Sequence, residues 1–347
     1  MNTPPADLDE TELVRLLAGG WGLDVGVLRY LPRGFGSHHW LADMDGGTRY
    51  FLTVDDLDTK PWLGPDRDST LSGLTAALEA VLALHHQGGL AFVVPPVPTR
   101  DGKTLRRITS RYTLSVFPYI DGGGGAWGEH LSEADRDELV RLLADLHLAT
   151  RVLASPVRSC GDGLAGRAQL DAALRDLDRP WTGGPFSEPA RRSLAAGAEA
   201  VLAGLAARDD LAAEVAGSGA EPVITHGEPH PGNLIRAQGR FRLVDWDTVG
   251  LAPPERDLWM LHQGTTQSLT PYSEATGRVV DETAIALYRL SWTLGDLALY
   301  VALFRSHHER TEDTEKARRG VTNCIRRLER RATEGQDVLV PWESPAP

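Results

Sequence analysis

One stretch of the chain gathers side chains able to accept a proton or hold a hard cation. Thr225-His226-Gly227-Glu228-Pro229-His230-Pro231-Gly232-Asn233-Leu234-Ile235 sets a carboxylate, two imidazoles and a carboxamide in a Gly- and Pro-rich loop between apolar, strand-like segments. A second loop, Leu243-Val244-Asp245-Trp246-Asp247, adds two carboxylates beyond a hairpin. The five-residue spacing of Glu228 and Asn233 lets one loop present a base and an oxygen ligand side by side. Mg2+ takes such ligands, commonly one or two carboxylates with substrate phosphates completing the shell. The set matches the parts of metal-assisted phosphoryl transfer, in which positioning and charge stabilisation do most of the work. Loop capping and turn formation are the competing reading of Glu228, Asn233 and Asp245.

These loops need elements to hold them. Thr11–Leu17 places Leu13, Leu16 and Leu17 on one helical face, and Gly19-Gly20 should end that helix. Val25–Leu31 and Tyr50–Val54 are β-branched and aromatic, with a turn signal at Asp45-Gly46-Gly47. Thr70–His86 reads as a helix, and Phe92–Val94 and Thr113–Ile120 as strands. Asp121-Gly122-Gly123-Gly124-Gly125 is the strongest breaker. Beyond it Ser132 can cap a helix carrying Leu139, Leu142, Leu143 and Leu146, and Ala- and Leu-rich helices run to about Ala216, interrupted at Pro180–Pro185. Val223–Thr225 and Phe241–Val244 form a β-like island, and Glu282–Arg331 is helical again. The expected architecture is a β-rich lobe over 1–120, a glycine hinge, and a larger helical lobe over 121–347 that carries the catalytic hairpin.

Composition narrows the partners. The formal net charge of -12 over 347 residues disfavours binding to a phosphate backbone and suits a cationic small molecule. Two cysteines far apart in sequence, Cys160 and Cys324, exclude a disulfide scaffold and read as inert thiols. No apolar run approaches a bilayer span, and Met1–Glu10 lacks a secretory apolar region, so a cytoplasmic protein without a membrane partner is expected. The pairs His38-His39, His85-His86 and His307-His308 do not chelate readily, because adjacent side chains diverge on strands and on helices. Trp259, Trp292 and Tyr300 read first as helix packing, with a substrate pocket as the alternative. The arginines at 318-319, 326-327 and 330-331 read as a solvated face answering nearby glutamates.

The first loop resembles the His-Gly-Asp-x-His-x-x-Asn loop of aminoglycoside phosphotransferases and choline-kinase-like enzymes, and Asp245-Trp246-Asp247 resembles their second, metal-binding loop. The continuation Leu251–Met260 is most similar to spectinomycin-type members. The resemblance implies an α+β, two-lobed protein-kinase-like fold with a small antiparallel β lobe and a larger helical lobe. It implies a Mg2+-dependent transfer of the γ-phosphate of ATP or GTP to a hydroxyl, with an aminoglycoside or aminocyclitol antibiotic as first substrate guess and other hydroxylated metabolites close behind. Glu228 stands at the catalytic base, with His226 supporting the loop and His230 near the phosphates. Asn233 and Asp245 stand at the metal ligands and Asp247 is a further candidate. Asp257 matches a buried Asp that buttresses the loop. Gly34, Gly36 and Ser37, in Arg33-Gly34-Phe35-Gly36-Ser37, resemble a phosphate-covering glycine loop; Phe117 and Tyr119 resemble the strand that meets the adenine. Trp259 and Trp292 are the acceptor-side candidates.

Three departures bear on the chemistry. Glu228 replaces the family's Asp, and about 1 Å of misplacement can cost about 10²-fold in rate. Thr53 stands where the strand lysine is expected, and Lys60 lies beyond Asp55-Asp56-Leu57-Asp58, too far along the chain to replace it. Glu79 is the sole candidate for the lysine's helix partner, and losing both members together avoids an unpaired buried charge. These departures imply two alternatives: a kinase-fold binding protein with little phosphotransfer, or the same site with a different donor or nucleotidyl transfer.

Overall fold

The computed structural model describes residues 1–34, 36–153, 157–160 and 163–334. These residues fall into two compact units: 1–127, 145–158 and 226–250 in the first, and 128–144, 159–225 and 251–334 in the second. The units follow a different line from a division at residue 120, because both catalytic loops group with the β-rich segment.

The first unit is built on a five-stranded antiparallel sheet. Its strands are β1 (Val25–Leu31), β2 (Ser37–Met44), β3 (Arg49–Asp56), β4 (Arg106–Arg107) and β5 (Tyr112–Pro118), in the order β1-β2-β3-β5-β4. Trp40 and Ala42, Leu52 and Val54, and Leu114 and Val116 alternate onto one face. Leu13 and Leu17 close that core from α1 (Glu10–Leu16) and the turn after it. Gly19-Gly20 does not end the helical path: a π turn carries it from Leu17 to Trp21, whose indole nitrogen donates to the Val97 carbonyl at 2.8 Å. Helix α2 (Arg67–His86) is capped by Asp66 and sets Leu74 and Leu78 in a second cluster with Leu63, Leu105 and Phe117. Phe92–Val94 makes only an isolated bridge, Val93 to Leu243.

The glycine run is a strand rather than a hinge. Gly123–Gly124 (β6) pairs with β8 (Leu234–Ala237), which pairs in turn with β9 (Arg240–Leu243). A Cβ on Gly122 would strike the Arg236 carbonyl and one on Gly125 the Pro231 carbonyl, so the close approach requires glycine.

The second unit is helical. The α9 helix (Glu282–Arg305) runs Leu290, Leu294, Leu297, Val301 and Phe304 along one buried stripe. That stripe packs with Leu170 of α4 (Arg167–Arg175), Leu194 of α5 (Ser187–Ala196), Val201 and Leu205 of α6 (Ala198–Gly217), and Val321 and Leu328 of α10 (Glu312–Glu334). The α3 helix (Glu133–Leu148), β7 (Val223–Thr225), α7 (Glu255–Leu258) and α8 (Thr270–Thr276) complete the elements that matter here. Among the described residues no helix is long and apolar enough to cross a membrane.

Candidate active site

The strand register lays out a graded surface on the sheet face opposite the Trp40–Leu52–Val116 core. Leu41, Phe51 and Phe117 are cross-strand partners, two residues on come His39, Thr53 and Ser115, and two further come Ser37, Asp55 and Thr113. With about 3.4 Å of rise per residue, the surface passes from apolar to neutral polar to charged over roughly 14 Å. The apolar first row and the carboxylate of the last give the two ends of this face opposite chemistries. Phe117 lies in the first row, and the Tyr119 ring is covered by the Arg49 guanidinium at 4.1 Å.

Thr53 is confirmed on β3 with no cation of its own. Its hydroxyl lies 3.4 Å from His39 Nδ1. Burial, reinforced by the N-terminal ammonium and Lys60, pushes the His39 imidazole down to about 3, so it is neutral at pH 7. Glu79 is exposed on α2 and offers no buried carboxylate. Gly34 and Gly36 have φ of 73° and 97°, as a glycine turn requires, and a Cβ on Gly34 would lie 3.2 Å from His39 Nε2. Phe35 lies outside the described residues. The Ser37 hydroxyl turns inward, donating to Asp55 Oδ1 at 2.7 Å.

Lys60 does not take the place of the strand lysine, but it is buried and fully engaged at the end of β3. Its side chain is 2% exposed, with Nζ 3.0 Å from Asp55 Oδ1, 2.5 Å from Asp247 Oδ2 and 3.0 Å from Ser37 Oγ. Burial alone would push this ammonium down, but Asp247 and Asp55 outweigh it and hold Lys60 above its ordinary range. The β3 strand ends at Asp56, and the turn that follows folds Lys60 back beneath the strand end.

The Thr225–Ile235 loop is held by bonds from the His226 and Asn233 side chains to backbone groups. His226 is fully buried; its Nδ1 accepts from the Glu228 backbone N–H at 3.1 Å, and its Nε2 lies 3.0 Å from the Val244 carbonyl. An amide can only donate and a carbonyl can only accept, so His226 is the neutral Nε2–H tautomer joining the first loop to the second. It is a positioning residue. The Glu228 carbonyl accepts from the His230 N–H at 2.8 Å and from Asn233 Nδ2 at 2.9 Å. Gly227, at φ 99°, makes the turn that places Glu228 between these ties. With its amide nitrogen on the Glu228 carbonyl, Asn233 keeps its Oδ1 as an acceptor. His230 stacks edge-on against Trp127 at 4.1 Å, and its Nδ1 finds no partner among the described residues. Burial, with His226 adding, pushes His230 down to about 3, so it offers phosphate no positive charge at pH 7.

The second loop is fixed by Val244 N–H donating to the Asn233 carbonyl at 3.0 Å and Leu243 N–H to the Phe92 carbonyl at 2.8 Å. Asp245 holds φ at 65°, a left-handed conformation that Asp tolerates at a cost of about 1–2 kcal/mol. Its side chain is open to solvent, yet the protein crowded around it and Asp247 beside it push its carboxyl up, with Lys60 opposing. The solvent that reaches it discounts the size of that shift. Asn233 Oδ1 and this accessible carboxylate fit Mg2+. Among the described residues no three His, Cys, Asp or Glu side chains form a group that could hold a metal ion. Asp247, by contrast, is engaged by Lys60.

In the second unit Trp259 and Trp292 are half-buried and face each other at 5.7 Å, outside the α9 core stripe. Asp257 is fully buried, in keeping with a structural role. Sequence reasoning missed His39 and Trp127 and the cross-linking position of Lys60. The one available signal was scarcity: Lys60 is one of three lysines in the chain, beside an acidic run.

The model of the phosphotransferase enzyme family matches residues 27–289, about three quarters of the chain. Among solved structures, spectinomycin phosphotransferase in complex with ADP and spectinomycin is 17% identical, with 92% of this chain and 98% of that one covered at a TM-score of 0.67. Choline kinase from Streptococcus pneumoniae is 16% identical, covering 91% and 98% at 0.57. A microcompartment-associated aminopropanol kinase is 19% identical, covering 94% and 98% at 0.55. At these identities the likeness concerns the fold, which is the two-lobed kinase-like one. No curated protein matches the sequence.

Proposed function

The chain belongs to the phosphotransferase enzyme family, a family of small-molecule kinases, and on that premise we propose that it moves the γ-phosphate of ATP or GTP to a hydroxyl of a small molecule. The observation that carries this reading is the His226 bridge, which fixes Glu228 and the Asp245 loop to one another. Glu228 accepts the proton of the acceptor hydroxyl as its oxygen bonds to the γ-phosphorus and the bond to the β-phosphate oxygen breaks, leaving the nucleoside diphosphate. Asn233 and Asp245 hold Mg2+, which when bound offsets the charge of the donor phosphates. The base lies toward Leu41, Phe51 and Phe117, and the phosphates toward His39, Thr53 and the amides of Gly34, Gly36 and Ser37. Structural neighbours carrying ADP or AMP support a nucleotide donor.

For the acceptor, an aminocyclitol or aminoglycoside comes first, supported by the spectinomycin-bound neighbour and by a net charge of -12 that favours cations. With a nucleotide donor and a net charge of -12, the reading is a cytoplasmic enzyme without nucleic-acid or membrane partners.

A second reading, a kinase-fold binding protein with little turnover, is favoured by one observation: the Thr53 row is neutral, and the Lys60 ammonium is already surrounded by acceptors. The experiment offers ATP or GTP with Mg2+ and a panel of aminocyclitols, aminoglycosides and other hydroxylated metabolites, and reads addition of one phosphoryl group by mass. Product with the native chain and none with Asp245→Asn is expected. Failure across the panel with both donors supports the binding protein; unchanged Mg2+-dependent turnover in Asp245→Asn contradicts the metal assignment.

A further inference from the structure

We propose that Lys60 is a built-in cation that locks the second loop to the glycine turn and keeps a divalent ion off Asp247. An ammonium has three N–H donors. Here three acceptors surround it: Asp55 Oδ1 at 3.0 Å, Asp247 Oδ2 at 2.5 Å and Ser37 Oγ at 3.0 Å. They come from the end of β3, from the loop two residues past Asp245, and from the start of β2 after the glycine turn. Lys60 therefore has no donor left for a phosphate while this arrangement holds, so it does not simply stand in for a strand lysine. Its work is cross-linking.

The placement also explains three separate facts at once. Thr53 can be neutral because the charge that ties the strand to its partner has moved seven residues along. Glu79 can be exposed because the lysine's carboxylate partners now lie on β3 and on the second loop instead of on α2. Asp55 and Asp247, at 4% and 14% exposure, can be tolerated close together because the ammonium between them balances their repulsion. Without Lys60, two near-buried carboxylates and a hydroxyl would face a shared gap, which is a hard-cation donor set. Lys60 thus selects Asp245, with its open side chain, as the carboxylate left for Mg2+.

The inference rests on the proposed metal assignment only for that last step, and the experiment separates the two. Mn2+ bound per chain is counted by the electron paramagnetic resonance of free Mn2+, on nucleotide-free protein. Lys60→Met should bind one more Mn2+ than the native chain and melt at a temperature that rises more steeply with Mn2+. The extra ion should vanish in the double variant Lys60→Met, Asp247→Asn, and Lys60→Arg should show the native count. In the native background Asp247→Asn should leave the count unchanged, since Asp247 holds Lys60 and not the metal; this arm decides the matter even if Lys60→Met fails to fold. An unchanged count in a folded Lys60→Met, or a lower count in Asp247→Asn, overturns the proposal. Loss of Mn2+ in Asp245→Asn tests the Asn233–Asp245 assignment separately.

Discussion

The catalytic loops and the end of β3 sit in the same compact unit and solve the same problem, holding charged groups still, by opposite means. In the loops neutral side chains, His226 and Asn233, do the holding by bonding to backbone groups. His226, Gly227, Glu228 and Asn233 lie within eight residues, and their ties to one another and to Val244 are hydrogen bonds of 2.8–3.1 Å. At the β3 end a single side-chain ammonium does it, reaching segments far apart in sequence. A neutral hydrogen-bonded loop constrains residue type at fixed spacing and so leaves a motif. A buried charge constrains only where the charge arrives, and leaves the position along the chain free.

The comparison can be broken first at His226. His226→Ala should strand the Glu228 N–H and the Val244 carbonyl in a buried region, at about 1–3 kcal/mol each. Chemical denaturation should show a loss of that size together with a collapse of turnover. A variant as stable and as active as the native chain would mean the loops do not depend on the bridge.

Thr53→Lys comes next. With Glu79 exposed and His39 and Lys60 nearby, a restored strand lysine finds no carboxylate awaiting it. A melting curve should show a loss of about 1–3 kcal/mol, the usual cost of forcing a larger side chain into a packed site, without tighter nucleotide binding. Tenfold tighter binding at unchanged stability would instead mark a conventional lysine site that has merely lost its lysine.

These differences decide what the sequence makes legible. The loop segment, the five helices of the second-unit core and most of the antiparallel sheet follow from motif spacing and periodicity. The Ser37–Met44 strand is hidden by His38, His39 and Asp43: His39 fits because its face lines the graded surface, whereas His38 lies on the Trp40 face, with its Nδ1 3.3 Å from the Tyr30 hydroxyl. The run Gly122–Gly125 signals a break in any local reading, while its use as a strand depends on the Arg236 and Pro231 carbonyls that approach it. Lys60 is invisible for the same reason: nothing local reveals that the turn after β3 folds it back.

The smallest expected effect concerns protons. The folded His39 titrates near 3 and an unfolded histidine near 6.5, so between these values only the unfolded chain takes up the proton. Stability therefore falls as pH drops through that window. His39→Gln should reduce proton uptake on unfolding at pH 5 by roughly one, read from the pH dependence of denaturant midpoints. A slope remains from His230, which shifts in the same direction. An identical pH profile in the variant would show that His39 is hydrated and free to charge, and that the neutral row beneath the glycine turn is not neutral.

The central claim is that the tied loop exists to aim one carboxylate. Glu228→Gln keeps the backbone ties, since they run through the Glu228 N–H and carbonyl, and removes only the base. With an acceptor that the native chain phosphorylates, kcat should fall by about 10²–10⁴-fold while melting temperature and nucleotide affinity stay close to native. A kcat equal to that of the native chain would contradict the account and remove Glu228 from the reaction.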